Sequence, residues 1–111
     1  MTSYQGNDIY CDLIISRRID IKIIKETENI LAYHHTKPYW PVHIVVTCKH
    51  HVPSLLELED ELALELLTVV KQVAKMIKEK EGACRVLTNL GRYQDSKHLH
   101  IHISSGEPLA K

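Results

Sequence analysis

The segment His98-Leu99-His100-Ile101-His102-Ile103 alternates an imidazole with an aliphatic side chain without a break. Successive side chains of an extended chain point to opposite faces, so the pattern predicts a strand with three imidazoles on one face and three aliphatics on the other. Leu99, Ile101 and Ile103 are expected to face a helix, and the imidazoles to line the uncovered face of a sheet, within reach of a ligand. An ordinary amphipathic strand carries Thr, Lys or Glu on its open face, so this one points to a site.

The remaining histidines strengthen that reading. Eight in 111 residues is a high count, and they fall in two groups: His34, His35, His43, His50, His51, and His98, His100, His102. Histidine is the side chain that titrates near neutral pH and serves as nucleophile, acid–base group or metal ligand, so its clustering is a functional signal. Charge supplies no competing one. Fourteen basic and fourteen acidic residues balance, which leaves no electrostatic footprint for bulk nucleic acid or an anionic membrane surface. No apolar run is long enough to span a bilayer and no leader-like segment opens the chain. Three widely spaced cysteines, Cys11, Cys48 and Cys84, suit free thiols in a reducing compartment, so a cytoplasmic location is expected.

Along the chain we find no repeat and no linker, and residues 1–111 read as one domain. A short helix is expected at 11–18 and strands at 19–24, 29–33 and 42–47, the last after the break at Lys37-Pro38-Tyr39-Trp40-Pro41. Ser54-Leu55-Leu56-Glu57 has capping-box spacing and predicts the start of a long helix. Leu58, Leu62, Leu66, Val69, Val70, Val73 and Ile77 form its apolar stripe, and Gly82 ends it. Two further strands, 83–88 and 99–103, flank a polar loop. The expected class is α+β, an antiparallel sheet of about five strands with one long helix and one short N-terminal helix.

His-x-His-x-His followed by aliphatic residues resembles the motif of the histidine-triad family. Cys11-Asp12-Leu13-Ile14, Ala32-Tyr33-His34, Pro41-Val42-His43, Lys49-His50-His51 and Asn89-x-Gly91 with Gln94 extend the resemblance, towards the small nucleoside phosphoramidate and dinucleotide hydrolases. It implies a nucleotide-binding hydrolase or transferase that cleaves a phosphoramidate or phosphoanhydride bond at an α-phosphate through a nucleotidyl-histidine intermediate. His100 then stands as nucleophile, His98 and His102 as partners of the phosphoryl oxygens, and His43 as a fourth histidine near the phosphate. Asn89, Gln94, Asp95, Ser96 and His35 take substrate-binding positions. A small-molecule purine nucleotide or nucleotide conjugate is the implied ligand, and a homodimer the implied assembly.

The sequence departs from this pattern at several places. His35 stands where relatives carry the Asp or Asn that holds ribose hydroxyls, and neutral His offers one acceptor and one donor where a carboxylate offers only acceptors. Asp95 stands where Ser or Thr is common, with Ser96 beside it. The Cys-x-x-Cys of some bacterial relatives is reduced to Asp8 and Cys11, so a structural zinc drawing on Asp8, Cys11, His50 and His51 is incompletely specified, and no cofactor is required. Two alternatives stay open at this point: a zinc hydrolase that uses the triad histidines as ligands, and a catalytically weak nucleotide-binding module.

Overall fold

The computed structural model describes residues 21–94 and 96–109, so the expected helix at 11–18, Asp8, Cys11 and Asp95 lie outside the described residues. Its strands are β1 (Ile23–Glu26), β2 (Ile30–His34), β3 (Val42–Cys48), β4 (Arg85–Leu87) and β5 (His100–Ser105), with one α-helix, α1 (Asp60–Glu81). All five strands join one antiparallel sheet in the order β1-β2-β3-β5-β4. The class is α+β, as the residue patterns predict.

The helix follows its expected stripe. Leu66, Val69, Val70, Val73 and Ile77 are buried, with Leu58 and Leu62 partly so, against Ile30 and Ala32 of β2, Ile44, Val46 and Cys48 of β3, and Leu99, Ile101 and Ile103 on and beside β5. Each aliphatic side chain fully buried in this way contributes on the order of 1.5–3 kcal/mol. Acidic Asp60 and Glu61 in the first turn and basic Lys78 and Lys80 in the last oppose the helix dipole. Gly82 closes the helix at φ +90°, its N–H donating to Lys78 O at 2.8 Å.

The helix starts later than the capping box suggests. Ser54 Oγ accepts from Leu56 N at 3.2 Å and donates to Glu57 at 2.5 Å, but the unit it caps is the 3₁₀ turn Leu55–Glu57. The backbone then turns extended at Leu58, ψ 126°, and α1 begins two residues on, after Glu59, which makes no side-chain cap bond. A tight turn satisfies the same spacing as a helical first turn.

β4 is shorter than expected, and β5 begins at His100 rather than Leu99. His98 therefore precedes the strand. The sheet face opposite α1 carries the imidazoles as predicted, but it is not open: His43 is 5 % exposed, His100 7 % and His98 0 %, beside the buried cluster of Leu31, Tyr33 and Val45.

Candidate active site

Four imidazoles converge where β2, β3 and β5 lie side by side. His43 comes from β3, His100 and His102 from β5, and His35 from the residue after β2. The register of β3 against β5 pairs Val45 with His102 and Thr47 with His100, so His43 sits one same-face step from His102. Ring centroids are 4.3 Å apart for His35 and His43, 4.9 Å for His43 and His102, and 4.7 Å for His100 and His102.

Backbone groups decide where the protons sit. His100 Nδ1 is 2.9 Å from the carbonyl oxygen of His98. A carbonyl only accepts, so a neutral His100 carries its proton on Nδ1 and its lone pair on Nε2. The opposite arrangement holds next door. Tyr39 N–H donates to His43 Nδ1 at 3.0 Å, which places the His43 proton on Nε2, 2.7 Å from His102 Nδ1. His102 then accepts at Nδ1 and carries its own proton on Nε2. One ring thus presents a lone pair and its neighbour an N–H.

The charge state agrees with this chain. Burial, followed by the neighbouring charges of His35 and His100, lowers the His43 pKa to about 4. Burial, then His100, His43 and His35, lowers that of His102 to about 3. His35 is lowered as well, by burial and by His100. Both members of the hydrogen-bonded pair are neutral at pH 7, as one donor and one acceptor per ring require.

His98 takes a different position from its two partners in the motif. Its fully buried ring lies with Nε2 2.7 Å from Cys48 O and Nδ1 3.3 Å from His51 Nδ1, and its carbonyl holds His100. Ser96 Oγ accepts from His98 N at 3.2 Å. Gln94 Nε2 donates to Pro53 O at 2.6 Å, and Asn89 is half-buried between β4 and the turn Gly91–Tyr93. His35 Nδ1 accepts from Lys37 N at 2.9 Å, and the ring also lines a cavity of about 360 Å³ with Ile21, Lys22, His34 and Thr36. A larger cavity of about 670 Å³ is lined by His50 and His51 but by no triad residue, and its four glutamates, Glu57, Glu59, Glu61 and Glu65, oppose binding of a phosphate.

Sequence patterns do not reveal Tyr39 N–H, His98 O or Cys48 O, because backbone groups leave no residue signature. His50 and His51 part company: His50 Nε2 lies 3.1 Å from Asn29 Oδ1, whereas His51 meets His98. They offer no shared metal donor set among the described residues.

The nitrogens of His35, His43 and His102 do lie within 4.8 Å of one another, a donor set that a metal centre can use. His43 does not fit that role. With Tyr39 N–H directed into Nδ1, its neutral ring carries a proton on Nε2, the nitrogen that would have to face an ion. His98 stands outside this group. The Cys48 thiol, raised to about 12 by burial and then by the Glu65 charge, is neutral and faces the helix side of the sheet.

A family model described as the HIT domain matches residues 16–109. The chain belongs to the HIT family. This HIT protein is 38% identical over 102 residues to an uncharacterised HIT-like protein of Synechococcus elongatus, covering 87% of this chain and 89% of the relative. It is 32% identical to an uncharacterised 13.2 kDa HIT-like protein of Azospirillum brasilense, over 96% of this chain and 92% of that one. Among solved structures, a HIT family hydrolase from Clostridium thermocellum superposes with a TM-score of 0.77 at 27% identity, covering 97% of each chain. A hypothetical histidine triad nucleotide-binding protein from Sulfolobus tokodaii gives a TM-score of 0.78 at 34% identity, covering 87% of this chain and 67% of that one. These likenesses support a general HIT hydrolase function. No helix among the described residues is long and apolar enough to cross a membrane.

Proposed function

We propose that this HIT protein is a nucleotide hydrolase or transferase that passes a nucleotidyl group from a phosphoramidate or phosphoanhydride to His100 and then to water. The observation that carries the reading is the His98 O to His100 Nδ1 bond of 2.9 Å, which fixes the ring and leaves Nε2 as its unprotonated nitrogen.

His100 Nε2 attacks the α-phosphorus and the bond to the leaving group breaks. The positive charge gained by the imidazole is met at Nδ1–H by the His98 carbonyl. Water then attacks the phosphorus and the lone pair returns to Nε2. Over the cycle the water hydroxyl ends on phosphorus and its proton on the leaving group. His102 Nε2–H donates to a phosphoryl oxygen, and His43 keeps that donor in register. His98 acts through its carbonyl and its packing. No step needs a metal.

The HIT neighbours support a nucleotide ligand, and we assign a purine nucleotide or nucleotide conjugate to the site. We assign Asn89, Gln94, Asp95 and Ser96 to the phosphate of the ligand and His35 to its sugar. Leu56, 79 % exposed, with exposed Leu55, Leu64 and Leu67, supports a homodimer in which the helix region is covered. We place the protein in the cytoplasm, where its cysteines stay reduced. Steady-state hydrolysis of a fluorogenic adenosine phosphoramidate tests the reading. His100→Ala should lose about a thousandfold or more in kcat while nucleoside monophosphate still binds; unaltered turnover would overturn it.

A further inference from the structure

The loop that fixes the His43 tautomer is itself held by the C-terminal segment. Leu109 N–H donates to Tyr39 O at 2.8 Å, so Tyr39 is gripped through its carbonyl while its N–H is directed at His43. Gly106, at φ +91°, lets the segment approach: a Cβ there would meet Pro41 Cγ at 2.9 Å. From β4 the Arg85 guanidinium lies 5.4 Å from the centre of the Trp40 ring. Its Nη1 donates to Ser104 Oγ at 3.3 Å and its Nη2 to Gly106 O at 2.5 Å. Trp40 in turn meets His43 edge-on, with ring centroids 5.0 Å apart.

We propose that Arg85, Trp40 and residues 106–109 form a clamp that positions the His43–His102 pair, with Tyr39 as the point where the clamp reaches the site. Its effect on catalysis rests on the hydrolase reading above; its effect on the proton positions does not. Three sets of contacts converge on residues 39–41: Leu109 on the Tyr39 carbonyl, Arg85 on the Trp40 indole and Gly106 beside Pro41. Release of this segment withdraws the Tyr39 N–H from His43 Nδ1, and His43 is then able to carry its proton on either nitrogen. His102 Nδ1 loses a fixed donor in consequence, and the N–H that His102 presents is no longer defined. The groups facing the pair are His35 from the end of β2 and His100 from β5, with Arg85 beyond the Trp40 indole. A loosened loop also admits water to both rings, which weakens the burial that keeps them neutral.

The test uses the full chain with two separate variants. Leu109→Pro deletes one N–H, and Arg85→Lys keeps the charge but not the fork that spans Ser104, Gly106 and the indole. Imidazole ¹⁵N shifts read the tautomers directly and need no turnover. The wild type should show His43 protonated at Nε2 alone, and both variants a mixture. In the kcat profile the acid limb should move up by about one pH unit. At neutral pH, kcat should fall by about tenfold while KM changes little. A single His43 tautomer and an unmoved acid limb in both variants would overturn the clamp. Arg85→Lys keeps the question decidable if Leu109→Pro does not fold. If the wild type forms no nucleotidyl adduct, the hydrolase reading fails, and the nitrogen shifts still decide the clamp.

Discussion

Tyr39 N–H and His43 Nδ1 lie 3.0 Å apart, and this bond determines which nitrogen of His43 faces His102 as a donor. A backbone amide cannot reverse its polarity, so the proton order of the His43–His102 pair is written into the chain path of the loop.

Replacing His43 by Ala leaves Tyr39 N–H and His102 Nδ1 without their partner. Each polar group abandoned in a buried site costs about 1–3 kcal/mol, so the variant should be less stable by that order and slower by about 10- to 100-fold in kcat. Urea titration and steady-state kinetics check both. His43→Gln, which can accept from Tyr39 and donate to His102, should recover part of each loss.

The same pair makes stability depend on pH. His43 and His102 titrate near 4 and 3 in the folded chain, against an ordinary value of 6.5. The unfolded chain therefore binds more protons across that interval. Stability should be full above about pH 6.5 and fall as pH drops through the folded values. Urea midpoints taken from pH 8 to pH 4 should decline below neutrality, and the decline should flatten in His43→Gln. Equal slopes in the two proteins would remove the pair as its cause.

His35 accepts from Lys37 N–H through Nδ1, so its neutral ring carries the proton on Nε2 and offers an N–H, not an acceptor, to the sugar of the proposed ligand. Discrimination between a ribonucleotide and its 2′-deoxy form should consequently be small. His35→Asp supplies two acceptor oxygens and should raise that discrimination to about tenfold, worth about 1.4 kcal/mol. Competitive inhibition by AMP and by 2′-deoxy-AMP measures it.

Gly82 offers a stability test far from the chemistry. A Cβ there meets nothing within 4 Å, so the effect of Gly82→Ala is backbone strain alone at φ +90°. The variant should lose about 1–2 kcal/mol with kcat/KM unchanged. Thermal unfolding alongside kinetics separates the two.

Much of this architecture is legible in the residues. The alternation through Ile103 places His100 and His102 opposite Ile101 and Ile103, and the stripe from Leu62 to Ile77 names the helix face that covers the sheet. The capping signal at Ser54 is genuine but describes a 3₁₀ turn, since a spacing of three does not distinguish the two turns. His98 shows the limit of period reasoning: the motif runs on, while the strand begins only at His100. What the residues cannot show is which backbone group meets which ring. His98 O, Tyr39 N–H and Cys48 O give the imidazoles their proton order, and they become neighbours only once β3, β5 and the loop are packed together.

In the proposed reaction His100 carries the nucleotidyl group. Mass spectrometry of the intact protein after a brief quench without acid, following exposure to an adenosine phosphoramidate, tests it directly. A transient adenylyl adduct should form on the wild type and none on His100→Ala. Adduct formation on both proteins, or bound nucleotide with no adduct on either, would contradict it.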